Sequence, residues 1–361
     1  MADICINYGT DPKAMTYELL DHMCAASEIT PDMKVLIKPN LVNVTQAANG
    51  ATTHPEIVEG IIVYLKQNGI DKITIGESSS VDLKDTAGAF HACGYTRLVD
   101  EYDIRLHDMK DDKPLTMQYD GKDYYICSSV LDHDYIINVP VLKGHCQTKI
   151  TCCMKNLKGL IPDKEKKRYH ALGLHGPIAA LSGLVKVDLN IVDSICGDLD
   201  YEEGGNPVQS DRILMSKDSV LLDSYCAGLI GYDPEDIGYL HNAKAYGLGD
   251  FADPDTLIEE LNKDHKPEEN ITRSRMAEKL SKYVEADSAC SVCYAALIYA
   301  LHKLDTKNLT DLGLDDTIKI GQGFKGKHID GFGSGDCTSG CTGNVRGCPP
   351  SAADILKVLK G

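Results

Sequence analysis

HPEIVEGIIVYLKQNGIDKITIGES, residues 54–78, decides the fold. Its first sixteen residues carry apolar side chains at helical spacing, with Pro55 in the first turn and Gly69 just past the last. KITIGES (72–78) then reads as a short strand. The same alternation extends to both sides. Upstream, Met15 to Ala26 is helical and MKVLIKPN (33–40) is a strand stopped by Pro39. Downstream come a helix at 86–102, strands at 103–109 and 134–145, and a helical stretch through KITCCMKNLKGL. A helix at 177–185, strands at 189–195 and 212–218 and a helix at 219–231 complete the series. Strands and helices alternating at this spacing predict an α/β fold, a mostly parallel sheet with helices on both faces. We assign residues 1–252 to it, the charged stretch 253–287 to a helical bridge, and 288–361 to a smaller cysteine-rich α/β part with one strand at 317–323.

That last part contains GDCTSGCTGNVRGCPP (335–350), preceded by Cys290 and Cys293. Five of fourteen cysteines fall in these two places, in a chain with no sign of secretion, so a metal explains them better than disulfides. Cys290 and Cys293 open an apolar helix that Asp287 or Ser288 would cap, and Cys348 precedes Pro349, Pro350 and the amphipathic SAADILKVLK. Helix starts offer free N–H groups and partial positive charge to thiolates. Gly340, Gly343 and Gly347 would let the backbone wrap closely round an inorganic core. The reading is a [4Fe–4S] cluster on Cys290, Cys293, Cys337 and Cys348, with Cys341 as the alternative ligand. Zn²⁺ is the alternative metal, although a zinc ribbon repeats two short knuckles and here the second half is widely spaced. The consecutive ferredoxin motif is absent. Adjacent Cys152 and Cys153 read as small buried residues, because neighbours in a helix point apart.

The formal charge of −17 excludes nucleic acid or an anionic membrane as the main partner. The first residues lack a basic and apolar leader, and no apolar run approaches bilayer length, so a cytoplasmic protein is expected, in an organism living with little oxygen. One region opposes the charge balance. Between Lys143 and Arg168 eight Lys or Arg stand against two acids, which makes a small anion the expected ligand. Lys164 to Lys167 within it read as a solvated helix face.

Polar residues also gather at the carboxyl ends of the expected strands, where open α/β sheets bind ligands. They are Lys38 and Asn40, Glu77 with Ser78 to Ser80, His107 and Asp108, Lys143 and His145, and Asp193. Neither GGNP (204–207) nor GESSS (76–80) matches a nucleotide-binding loop. Asp193, Asp198, Asp200, Glu202 and Glu203 read as a solvated acidic loop before they read as a site for a hard cation.

VLIKPNLV (35–42), TTHPEIVEGIIVYL (52–65), INVPVLKGH (137–145), TKITCCMKNLKGLIP (148–162), VDSICGDLDYEEGGNP (192–207) and the stretch 216–240 together resemble the family known as domain of unknown function 362, often associated with iron–sulfur clusters. The resemblance implies a shared α/β fold and a shared pocket, and it supplies no reaction. It draws attention to Lys38, Asn40, Thr53, His54, Lys143, His145, Thr148, Lys155, Asn156, Lys158, Gly159 and Asp193. Lys155 and Lys158, three apart on one side of a helix, repel unless an anion lies between them. Three functions follow. The first is an iron–sulfur enzyme, an oxidoreductase or lyase, in which Lys38, Lys143 and Lys155 hold an anion, His145 moves a proton, and Asn156, Lys158, Asn40 and His54 complete the pocket. The second is an electron-transfer or accessory protein serving a redox partner. The third is a zinc-stabilised binding protein.

Overall fold

The computed structural model describes residues 2–267, 276–304 and 317–360. They divide into two compact units, one of residues up to 166 with 175–267, the other of 167–174 with 276–304 and 317–360.

The strands of the first unit are, in chain order, β1 (Ile4–Tyr8), β2 (Val35–Pro39), β3 (Ile73–Glu77), β4 (Arg105–Asp108), a hairpin of β5 (Pro114–Tyr119) and β6 (Lys122–Cys127), β7 (Tyr135–Val139), a second hairpin of β8 (Lys143–His145) and β9 (Lys149–Thr151), β10 (Leu189–Asp198), β11 (Pro207–Ser216) and β12 (Ile258–Leu261). Eight of them form one sheet in the order β12-β1-β11-β10-β7-β2-β3-β4. Only β11 runs against its neighbours. The α/β, mostly parallel architecture read from the sequence is therefore the one observed. β2 and β7 are buried along their whole length, as strands covered on both faces must be. Ile57, Val58, Ile61, Ile62 and Leu65 of the helix Pro55–Gln67 pack into the same core as Val35, Ile37, Ile73 and Ile75. That face follows the 3.6-residue period quoted above.

Several segments depart from expectation. The expected strand 134–145 ends at Val139, because Pro140 has no N–H to continue a ladder; its carbonyl takes the Asp193 N–H instead, at 2.8 Å. KITCCMKNLKGL is largely not an α-helix. Its β-branched start forms β9 against β8, only Cys153–Asn156 is α-helical, and a 3₁₀ turn Leu157–Leu160 follows. In the charged segment expected to bridge as a helix, Ile258–Leu261 instead pairs in parallel with β1 as an edge strand. Charge suits an edge, where one side of the strand faces water and must not recruit another chain. Strand β1 and the β5–β6 hairpin had no counterpart in the reading of the sequence.

The second unit holds a four-stranded parallel sheet, β13 (Val284–Ala286), β14 (Ile318–Ile320), β15 (Ile329–Ser334) and β16 (Cys341–Val345), in sequential order. Helices Ser291–Leu304 and Ala352–Leu359 belong to it, the latter capped by Ser351 as its sequence predicts. Ser291–Leu304 starts later than an Asp287 or Ser288 cap would place it. Those residues are used elsewhere: Asp287 O and Ser288 O accept the N–H groups of Gly323 and Gln322.

Candidate functional site

The chain runs from β2 outward to β3 and β4, then returns to place β7 on the other side of β2. Strand order reverses there, which is where open α/β sheets carry their ligand crevice. Lys38, near the end of β2, is 1% exposed. Its ammonium donates to Glu77 Oε2 at 2.7 Å, to Pro39 O at 2.8 Å and to Asn156 Oδ1 at 2.9 Å. Asn156 in turn accepts from Asn40 Nδ2 at 2.9 Å and donates to Asn138 Oδ1 at 2.8 Å. Asn138 donates to Asn190 Oδ1 at 2.9 Å. Burial lowers the Lys38 pKa against the pull of Glu77. Gly159 is required beside this pair, since a Cβ there would lie 1.8 Å from Glu77 Oε1. Asn138 and Asn190 escaped notice in the sequence. A lone amide inside the apolar run YIINV is the signal that marks the first of them, because a buried amide must find partners.

A second set gathers round the β8–β9 hairpin. Lys143 is 0% exposed and donates to Ala51 O at 2.5 Å, Glu202 O at 2.9 Å and Asn40 Oδ1 at 3.2 Å. Burial lowers its pKa to about 8. Lys155, 4% exposed, bonds to Thr151 Oγ1 at 3.1 Å and to Glu202 Oε1. The chain itself thus supplies an anion to Lys155. His145 is buried, and its Nδ1 accepts N–H bonds from Gln147 and Thr148, each 3.0 Å long. The proton of the neutral ring is therefore on Nε2, which lies 2.9 Å from Glu202 Oε2 but off the line of a good hydrogen bond. Burial first, then Lys155, pushes the His145 pKa down to about 4, and Lys158 adds to the effect. At neutral pH this imidazole is an N–H donor and not an imidazolium.

Glu202 reaches the lysines because Asp198 shapes its loop: Oδ1 accepts the N–H groups of Asp200 and Tyr201 at 2.9 Å, and Oδ2 that of Asn206 at 2.9 Å. The acidic stretch is thus only partly solvated, with Asp198 buried and Glu202 paired with Lys155. Asp193, also counted with it, is fully buried and accepts from His54 N at 2.8 Å, His54 Nδ1 at 2.9 Å and Ile195 N at 3.1 Å. Burial opposes charge on His54, but Asp193 overrides it and raises the pKa to about 11. Glu203 is raised to about 7 by burial and by Glu202. Lys166, read as solvated, is 7% exposed, with Nζ 2.7 Å from Ser78 O, Ser78 Oγ and Ser79 O. The helix Asp163–Leu172 leaves Lys164 and Lys167 outside and turns Lys166 inward, a distinction that a run of lysines hides.

In the second unit, Asp336 ties two cysteine loops together. Its N–H donates to Gly347 O at 2.9 Å, and its Oδ1 accepts Gly347 N–H at 3.0 Å, so Cys337 and Cys348, each one residue away, are held in adjoining turns. Cys290 directly precedes the helix Ser291–Leu304, Cys293 lies in its first turn, and Gln322 Nε2 stands 3.8 Å from Cys290 Sγ. Burial, then the thiols of Cys290, Cys348 and Cys337, raises the Cys293 pKa to about 12. Cys341 answers to different neighbours, Lys319 and Glu285. Gly340 and Gly343 serve chain packing, since a Cβ on the first would lie 2.0 Å from Lys327 O and one on the second 2.7 Å from the Phe332 ring. Among the described residues, the groups whose donor atoms come close enough for a single ion are Cys5 with His22 and Glu259, and Cys152 with Cys153 and Asp223. The adjacent cysteines do not point apart: their sulfurs are 3.9 Å from each other, because Cys152 (φ −155°, ψ −145°) lies outside the helix that Cys153 begins.

The family model described as Domain of unknown function (DUF362) matches residues 35–228. A thylakoid-associated protein of Synechocystis, sll1697, is 26% identical over 235 residues, 62% of this chain and 71% of that protein. Among solved structures, the lactate racemase apoprotein from Thermoanaerobacterium thermosaccharolyticum is 12% identical with a TM-score of 0.40, covering 62% of this chain and 56% of its own. A structural-genomics protein from Thermotoga maritima is 14% identical with a TM-score of 0.36, covering 51% of each chain. The chain thus spans little more than half of either solved protein. No described helix is long and apolar enough to cross a membrane.

Proposed function

Because the chain belongs to the family described as Domain of unknown function (DUF362), whose name assigns no reaction, we propose a function from its own residues: a [4Fe–4S] protein whose α/β unit acts on a small anionic substrate. Cys290, Cys293, Cys337 and Cys348 would hold the cluster. The observation that carries this is that Asp336 fastens the turns of Cys337 and Cys348 together while Cys290 and Cys293 share one helix start, with the Cys293 thiol under the influence of the other three and Cys341 under other neighbours. Thiols near enough to act on one another raise one another's pKa, a cost that a bound metal reverses. When bound, such a cluster supplies single electrons. The test is purification without oxygen from iron-replete cells. About four irons and matching sulfide per chain, with broad visible absorption, are expected. Stoichiometric zinc without that absorption would overturn the reading and leave the zinc-stabilised binding protein.

The anion site is Lys155 and His145, where Glu202 now supplies a carboxylate, with Lys143 beside them on the Glu202 backbone carbonyl. A substrate carboxylate or phosphate would take that place as the 199–206 loop withdraws, held by the two ammonium groups and by the neutral His145 Nε2–H. Lys38, Asn40 and Asn156 support it through their buried network, His54 through its pairing with Asp193, and Lys158 adds positive charge. If so, Glu202 competes with the ligand. Glu202→Gln is expected to bind inorganic phosphate or acetate about tenfold more tightly than the wild type in calorimetric titration, since removing a competing charge-assisted bond is worth roughly 1.5 kcal/mol or more. Equal or weaker binding by the variant would sink the displacement.

A further inference from the structure

Two thiols and a carboxylate meet inside the α/β unit, with a third thiol on the same helix face as the carboxylate, and the function proposed above uses none of them. Cys152 and Cys153 lie at the turn from β9 into the short helix Cys153–Asn156. Asp223 and Cys226 lie three residues apart on one face of the helix Ser219–Leu229. All four residues are 0% exposed. The Cys152 and Cys153 sulfurs are 3.9 Å apart, and they and an Asp223 oxygen lie within 4.8 Å of one another. The Cys226 thiol acts on that of Cys152 but stands outside this close-set trio. Two thiolates on a tetrahedral zinc, each about 2.3 Å from the metal, stand roughly 3.8 Å apart, so the sulfur spacing already suits the ion.

The charge balance points the same way. Asp223 accepts N–H bonds from Cys153 at 2.6 Å and Met154 at 3.1 Å, and the Tyr239 hydroxyl donates to it at 3.3 Å. Among the described residues no cationic side chain pairs with it. A buried carboxylate is ordinarily paired with a cation or bound to a metal. Buried cysteines can be small apolar side chains, which accounts for their burial but not for two of their sulfurs lying beside one carboxylate oxygen.

We propose that Cys152, Cys153 and Asp223, with Cys226 swinging in as the fourth ligand, form a closed tetrahedral site for one zinc ion, separate from the cysteines of the other unit. Zn²⁺ enters as three thiols lose their protons to solvent, giving three thiolate bonds and one carboxylate bond with no change of oxidation state. A site with all four positions filled by protein and no exposed ligand is structural.

The experiment uses the full chain with Cys290, Cys293, Cys337 and Cys348 all changed to Ser, stripped of metal and titrated with Co²⁺ and then Zn²⁺. Expected are one tightly bound Co²⁺ with the intense visible absorption of tetrahedral thiolate coordination, its displacement by Zn²⁺, and release of three protons per zinc in weak buffer. Adding Cys226→Ser should weaken binding about tenfold or more and release one proton fewer. His22→Ala, at the other close-set donor group, should change neither. Absence of stoichiometric metal, a pale octahedral cobalt spectrum, or loss of binding on His22→Ala would overturn the proposal. Should Cys226→Ser fail to fold by circular dichroism, the spectrum and proton count of the parent still decide.

Discussion

Cys293→Ser, prepared without oxygen, is expected to come out colourless, with the iron of the wild type, about four per chain, lost. The same result is expected for Cys348→Ser, whereas Cys341→Ser should keep its iron and its visible spectrum. The contrast follows from position. The Cys293 thiol already feels burial and the sulfurs of Cys290, Cys337 and Cys348, so removing it opens the centre of the group. Cys348 sits on the turn that Asp336 fastens to Cys337. Cys341 begins β16 beside Lys319 and Glu285, and its loss should leave the group whole. Iron and sulfide assays with visible spectra measure all three variants. Retention of four irons by Cys293→Ser, or their loss from Cys341→Ser, would show that the ligand set is wrong even if a cluster is present.

Lys38→Met should destabilise the fold by about 3–5 kcal/mol, the range for removing one partner of a buried ion pair. The methionine fills the space, but Glu77 Oε2 loses its cation and Asn156 Oδ1 and Pro39 O lose a donor, all inside the sheet edge. The double variant Lys38→Met with Glu77→Leu should recover much of that loss, because an apolar pair of similar volume leaves no charge stranded. Lys164→Ala, on the solvent side of its helix, should shift stability by about 0.5 kcal/mol or less. Urea unfolding of the wild type and these variants gives the comparison. If Lys38→Met proved as mild as Lys164→Ala, the ammonium would be contributing nothing that a thioether cannot, and the pair would lose its place at the centre of the site.

Both results depend on features that differ in how far the sequence reveals them. The polar residues at strand ends were legible because a parallel strand is a run of apolar residues, so Lys38 after VLI or Glu77 after ITIG stands out against it. Their partners were not. Asn156 reaches Lys38 and Asn40 across more than a hundred residues, and nothing in KNLKGL tells which strand end it will meet. Glu202 was visible as one of several acids. That it turns inward to Lys155, while Asp198 binds only backbone N–H groups, depends on a loop whose shape comes from hydrogen bonds and not from hydropathy.

From the sequence alone come the α/β class, the mostly parallel sheet and the cysteine-rich part, because the periods of 3.6 and 2 and the spacing of cysteines are local properties of the chain. Strand order, the edge strand hidden in the charged stretch after Asp253, and the burial of Lys166 were settled only by tertiary structure. So was the meeting of Cys152 and Cys153 with Asp223, seventy residues away. The physical reason is common to these cases. A charged or polar side chain has two acceptable fates, solvation or a complete set of buried partners, and local sequence looks the same for both; only the folded chain brings, or withholds, the partners that make burial tolerable.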